Sequence, residues 1–294
     1  MGSVQASRLE RKGTNPVIMT ISEHKKAGHG AAAASPLWAE HLSIHYDKRA
    51  IIEDLSVTIP LNSFTVIIGP NACGKSTLLR ALSGLLKPER GHVMLDGKEL
   101  ATYKAKEVAR RLGLLPQTAI APDGIAVADL VARGRYPHQS IFRQWTEADE
   151  QIVAGAMEAT GTSSLAGRLV DELSGGQRQR VWVAMALAQQ TPLLLLDEPT
   201  TFLDIAHQIE LMELFTELNA DGHTLVAVLH DLNHAARYAT HLIAMKDGAI
   251  VAQGDPRNIV TEALVEEVFD LPCKVIEDPV TGTPLVVPIG KRRA

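Results

Sequence analysis

One run limits what this chain can become: residues 65–77, TVIIGPNACGKST. Residues 65–68 are all β-branched and read as a buried strand. Gly69, four further residues, Gly74, Lys75 and Ser76 then follow in the spacing of a phosphate loop. The two glycines let the backbone curl so that successive N–H groups point inward at phosphate oxygens. A helix starting near Lys75 adds the positive end of its dipole. Lys75 is expected to reach the β- and γ-phosphates, and the Ser76 hydroxyl to ligate Mg²⁺. The whole loop (Gly69, Pro70, Asn71, Ala72, Cys73, Gly74, Lys75, Ser76 and Thr77) is therefore a candidate nucleotide cradle. A strand before it, and an amphipathic helix after it (Leu78, Leu79, Leu82, Leu85 and Leu86, ended by Pro88), argue against a plain glycine-rich turn.

The rest of the chain narrows the setting. At 294 residues it is one large domain or two modest ones. A net charge of −5 without a long basic run makes nucleic acid a poor partner. Two cysteines, Cys73 and Cys273, fit a reducing compartment rather than a disulfide framework. No apolar run approaches the roughly 18 residues of a spanning helix, so a membrane role is expected to come through a partner. The N-terminus lacks the charged-then-apolar order of a secretory signal, and residues 1–35 read as weakly ordered.

Taken in order, residues 37–46 and 51–59 read as paired strands. Tyr46 either stacks on a purine, worth roughly 1–3 kcal/mol by analogy with base stacking in nucleic-acid sites, or fills the core at a strand end. Residues 91–100 carry Asp96-Gly97 as a hairpin signal. Residues 112–115 form a strand that delivers Gln117, either a loop residue or one reaching a bound metal or water. From 118 to 172 helical patterns take over (127–133 and 147–160), which reads as an insertion in an α/β core. Residues 133–143, with Tyr136, Pro137 and Phe142, and Trp145 nearby, are either a docking surface or the insertion's own small core.

Ser174 is a good N-cap, and Gly175-Gly176-Gln177 after it opens a second anion-facing helix. One chain already has a phosphate loop, so this helix end suits another chain's nucleotide. Residues 193–196 are four leucines, the pattern of a strand buried on both faces. They deliver Asp197, placed to hold Mg²⁺ directly or through water, and Glu198, placed to polarise an attacking water. Asp204 precedes a helix at 205–219 with Ile205, Ile209, Met212 and Phe215 on one face. Residues 224–229 form another buried strand ending at His230, which either donates to a γ-phosphate or makes a structural hydrogen bond. Hairpins at 242–252 and 274–289, with a helix at 261–269, complete the chain. Cys73 sits beside a helix N-terminus and Lys75. There it is either a thiol with a pKa lowered to about 3.5–7.5, protected from reagents by MgATP, or an inert small residue.

The phosphate loop, Gln117, LSGGQ at 173–177, LLLLDEP at 193–199 and His230 occur in an order that resembles the ATP-binding subunit of an ATP-binding-cassette (ABC) transporter. Within that family the chain is similar to ATPases of importers for iron–siderophore complexes, haem or cobalamin, through 133–140 (RGRYPHQS), 198–208 (EPTTFLDIAHQ) and 254–271. The resemblance implies an α/β P-loop NTPase (RecA-like) with a parallel core, an antiparallel β subdomain and an inserted α-helical subdomain at about 118–180. The ATPase domain would span 36–270, after an N-terminal extension at 1–35 and before a β extension at 271–294. It implies ATP and Mg²⁺ as cofactors. Tyr46 would stack on adenine, Gln117 would contact metal or water, and Asp197 would be a metal-site acid. Glu198 would be the catalytic base, with Lys75, Gln117 and His230, the γ-phosphate sensor, beside it. Ser174, Gly175, Gly176 and Gln177 would close on the opposite subunit's γ-phosphate, and Asp204 would be a cross-dimer acid. The partners implied are a second copy, integral-membrane permease subunits and, indirectly, a substrate-binding protein, at the cytoplasmic face of the inner membrane. The rivals from other classes are a soluble ABC protein that remodels complexes and a nucleotide-gated module without turnover.

Overall fold

Strands that are apolar at every position need cover on both faces, and two different layers supply it here. The computed structural model describes residues 36–46, 49–139 and 145–290, so the expectations for residues 1–35, Ser140 and Phe142 lie outside the described residues. In chain order, β1 (Leu37–Tyr46) and β2 (Arg49–Ile59) precede β3 (Phe64–Ile68) and helix α1 (Lys75–Leu82). Next come β4 (Arg90–Leu95), β5 (Lys98–Glu99), the short α2 (Ala105–Val108) and β6 (Leu112–Leu115). The helical segment holds α3 (Val127–Ala132), a 3-10 stretch (Arg133–His138), α4 (Glu147–Ala159) and α5 (Gly175–Ala188). There follow β7 (Leu193–Asp197), α6 (Ile205–Ala220), β8 (Thr224–Val228) and α7 (Leu232–Tyr238). The last elements are β9 (His241–Lys246), β10 (Ala249–Gly254), α8 (Pro256–Ile259), α9 (Glu262–Phe269), β11 (Cys273–Glu277) and β12 (Pro284–Pro288).

Strands β6, β7, β8, β3 and β9 lie side by side in parallel, and β10 closes one edge antiparallel to β9. A separate antiparallel sheet has the order β2-β1-β4-β5. Alternation along each central strand divides its side chains between two cores. Phe64, Val66 and Ile68 of β3 enter one core with Leu194 and Leu196 of β7, while Ile67, Leu193 and Leu195 enter the other. The first core is filled from the helical segment and α6, by Val127, Leu130, Ile152, Val181, Met212 and Phe215. Phe215 meets Phe64 edge-on, with ring centroids 6.2 Å apart. The second core is filled by Leu78, Leu79 and Leu82 of α1 and by Leu42, Ile44 and Ile52 of the antiparallel sheet. No helix among the described residues is long and apolar enough to cross a membrane.

Four expectations change. Strand β2 begins at Arg49 rather than Ile51, because Tyr46 and Arg49 pair across the hairpin. Helix α1 stops at Leu82 and does not run on through Leu86: Gly84 turns the chain at φ +75°, and Leu85 is left 67% exposed. In α6, Ile205 is 77% exposed, and the buried face is Leu211, Met212, Leu214, Phe215 and Leu218. The fourth concerns one residue, Arg135, of the stretch at 133–143 read as either a docking surface or the insertion's own small core; 140–143 lie outside the described residues. Arg135 there is only 3% exposed. Its Nε donates to Asp149 Oδ1 at 2.8 Å, and its Nη1 donates to Ala188 O at 2.8 Å and Gln190 Oε1 at 3.1 Å. A Cβ on Gly134 would stand 2.3 Å from Met185 O. Gly134 and Arg135 clamp the helical segment onto the end of α5. Of the aromatics nearby, Tyr136 and Trp145 are exposed.

Two side chains of α7 reach the β11–β12 hairpin: Arg237, whose Nη1 lies 4.0 Å from Asp278 Oδ2, and Asn233. Asn233 Oδ1 accepts from Val286 N at 2.8 Å, and its Nδ2 donates to Val286 O at 3.2 Å.

Candidate functional site

Register brings the chemistry-bearing residues level. Leu115 of β6 pairs with Leu196 of β7, Leu196 with Ala227 of β8, and Ala227 with Val66 of β3. Gln117 and Glu198 each lie two residues beyond that row, and Gly69 and His230 three. All emerge at the carboxyl edge of one parallel sheet, where open α/β folds bind ligands. There Gln117, Glu198 and His230 line a cavity of about 480 Å³ with Asn71, Ala72, Gly74, Lys75, Ser76 and Thr77.

The loop after β3 has the curl its glycines suggested. Gly69 has φ +154°, and a Cβ there would stand 2.2 Å from Met245 O, so no larger residue fits. Gly74, at φ +104°, occupies the N-cap of α1. Lys75 Nζ donates to Gly69 O at 2.9 Å and to Pro70 O at 2.8 Å, bracing the loop from within. Ser76 Oγ donates to Asp197 Oδ1 at 2.9 Å. Burial pushes the Asp197 carboxyl above its ordinary range, and the negative charge of Glu198 adds to this, while Ser76, Arg80 and Lys75 oppose it. Ser76, Asp197 and Gln117 offer oxygen donors, the set that suits a hard dication such as Mg²⁺.

Glu198 and His230 meet directly, with Oε1 to Nε2 at 2.6 Å, although 32 positions separate them in the chain. Thr201 Oγ1 reaches the other carboxylate oxygen at 3.3 Å. Glu198 is largely buried and sits at φ +54°, a conformation rare for a residue with a side chain.

Other expected residues lie elsewhere. Tyr46 is 43% exposed and does not line the cavity; Arg49 and Ile51 hold that end. Cys73 is corrected. Its side chain is buried in the core under α1, and burial raises its thiol pKa, outweighing the lowering pull of Lys75. Ser174, Gly175, Gly176 and Gln177 do not line the cavity of their own chain. Ser174 Oγ accepts from Gln177 N at 3.3 Å, and Gln177 Oε1 accepts from Ser174 N at 3.1 Å, a reciprocal cap at an exposed helix start. A Cβ on Gly175 or Gly176 would come within 3.3 or 3.2 Å of Phe202, the exposed residue beside them.

Asp204 caps α6. It accepts from His207 N at 3.0 Å and lies 2.6 Å from His207 Nδ1, and these two bonds hold its carboxyl below the usual range. Three residues escaped the reading of the sequence. Arg49 and His207 are the first two. The third is Gln179, whose Nε2 donates to Pro199 O at 3.1 Å and ties α5 to the loop carrying Glu198. The one signal of Gln179 in the sequence is an amide just ahead of the apolar run of α5, which the structure buries.

A phosphate loop, a hydroxyl–carboxylate pair and a glutamate–histidine pair on one cavity define a nucleotide-hydrolysing P-loop protein. Residues 52–201 match the family described as ABC transporter, and the chain belongs to that family. It binds and hydrolyses ATP as the ATP-binding subunit of a transport system. It is 59% identical over 256 residues to the ferric enterobactin transport ATP-binding protein FepC of Escherichia coli (strain K12), covering 87% of this chain and 94% of that protein. Among solved structures it is similar to an inward-facing metal-chelate-type ABC transporter, with TM-score 0.74 and 28% identity over 88% of this chain and 98% of that one. It is also similar to the dimeric cassette MJ0796, with TM-score 0.69 and 25% identity over 76% of this chain and 100% of that one.

Proposed function

We propose that this chain energises import of a ferric-siderophore-type chelate through a separate membrane permease, as a head-to-tail homodimer at the cytoplasmic face of the membrane. The observation that carries the reading is the convergence of Lys75, the Ser76–Asp197 pair and the Glu198–His230 pair on one cavity. The ferric enterobactin relative and the metal-chelate transporter support the cargo class. The dimeric cassette supports the assembly.

In this reading the N–H groups of 69–77 and the ammonium of Lys75 hold the β- and γ-phosphates. Ser76 and Gln117, with Asp197 directly or through water, hold Mg²⁺, which neutralises charge on those phosphates when bound. Glu198 takes a proton from the attacking water. His230 fixes its carboxylate from one side and faces the γ-phosphate from the cavity wall. Tyr46 takes adenine. The exposed Ser174 cap, with Gly175, Gly176, Gln177 and Asp204, faces the nucleotide held by the second copy. ATP therefore favours the closed pair, and hydrolysis removes that preference. The division of the chain follows: an ATPase domain at 36–270, with its helical subdomain at about 118–180, and a β extension from 271.

Glu198→Gln tests this. It keeps MgATP binding and accumulates as an ATP-bound dimer on gel filtration, while phosphate release falls about 10²–10⁴-fold. Near-normal release removes Glu198 as the base. Uptake of a labelled ferric siderophore by vesicles carrying the permease tests the cargo class, and uptake independent of this chain refutes it.

A further inference from the structure

The cavity has two chemically distinct ends. Gln117, Glu198 and His230 gather at the carboxyl ends of the parallel strands and mark the terminal phosphate and its water. Arg49 and Ile51 come from the other sheet and line the end next to Gly74, where a Cβ on that glycine would lie 3.4 Å from Ile51 Cγ2. Arg49 stands directly opposite Tyr46 in the antiparallel register of β1 and β2. Residues so paired send their side chains from the same face, with Cβ atoms about 4.5–5.5 Å apart. No ion pair among the described residues includes Arg49, and its side chain is exposed where it meets the cavity. A planar cation thus stands between the position for a purine and the start of the loop that takes the β- and γ-phosphates.

We propose that Arg49 is a nucleotide-binding residue that grips the α-phosphate. The proposal rests on the ATP-hydrolysing reading above. The guanidinium matches a phosphate with two parallel N–H donors. Its hold does not depend on the γ-phosphate, so it contributes equally to ATP and to ADP. Lys75, by contrast, reaches towards the groups that differ between the two.

The test uses the full chain, with Arg49→Ala, Arg49→Lys and Tyr46→Ala, and calorimetric titration with MgATP and MgADP at several salt concentrations. Arg49→Ala is expected to lose about ten-fold in affinity for both nucleotides, by the same factor. The salt dependence of MgADP binding also flattens, because a charge contact is gone. Arg49→Lys regains part of the affinity. Tyr46→Ala loses affinity with its salt dependence unchanged. Three results overturn the proposal: unchanged affinity in Arg49→Ala, a loss confined to MgATP, or a loss for both with salt dependence as in the parent chain. If the parent chain binds neither nucleotide, the ATP-hydrolysing reading itself has failed, and that result is separate from any difference between variants.

Discussion

The phosphate cavity and the Ser174–Asp204 face are built on opposite plans. In the cavity, polar groups are buried and satisfied within the chain: Lys75 by two loop carbonyls, Asp197 by Ser76, Glu198 by His230 and Thr201. On the other face, Ser174, Gly175 and Asp204 are exposed and held in shape only by local caps. Phe202, at φ +67°, is 75% exposed beside them. One region satisfies its polar groups within a single chain. The other is a prepared surface with nothing of its own chain to act on. The head-to-tail pair proposed above would account for both plans, each copy supplying half of a composite site.

Mixing tests that contrast most severely. Lys75→Ala alone should lower phosphate release about 10²–10³-fold, the loss seen when one preorganised donor is removed. Ser174→Arg alone should do the same by blocking the other face. Mixing the two inactive chains should restore release, because one composite pocket then has an intact loop and an intact cap. Mixtures as inactive as their components would break the comparison.

Next in size is the clamp behind the exposed face. Arg135→Ala leaves Asp149 buried and unpaired, at an expected cost of about 3–5 kcal/mol in chemical denaturation. Burial alone would raise the Asp149 carboxyl, but Arg135 and Thr146 outweigh it and hold it below the usual range. The stability it contributes is therefore present above the ordinary carboxylate pKa and is lost as pH falls through the lowered one. The parent chain should lose this contribution only as pH falls below the ordinary carboxylate range. The variant should lack it already near neutrality.

A smaller effect is expected where the two regions touch. Gln179→Leu leaves Pro199 O without its donor, costing about 1–3 kcal/mol, and should lower turnover more than MgATP affinity, because Pro199 adjoins Glu198. Equal changes in both would make the bond purely structural. The smallest effect is at Cys73. Its native-state reaction with thiol reagents should be slow, as befits a buried thiol with a raised pKa, and indifferent to MgATP.

The legible parts of the molecule were those written contiguously. The loop at 69–77 and the leucine run ending at Asp197 carry their geometry in adjacent residues, so strand, turn and helix followed directly. The six-strand order was not legible, nor was the row that aligns Leu115, Leu196, Ala227 and Val66. Hence the meeting of Glu198 with His230, and of Arg135 with Asp149, stayed hidden. Cys73 stayed open between two readings because a neighbouring lysine and helix start are visible in sequence, whereas the inward aim of the side chain is not. Ile205 fell to the same cause, since helical spacing marks a stripe without saying which turn lies over the sheet.

The amide of Asn233 has one further consequence. By giving and taking at the backbone of Val286, it serves as an extra rung on the terminal hairpin, welded to the helix just behind His230. Anyone trimming, tagging or grafting that end of the molecule is therefore also handling the helix that follows His230.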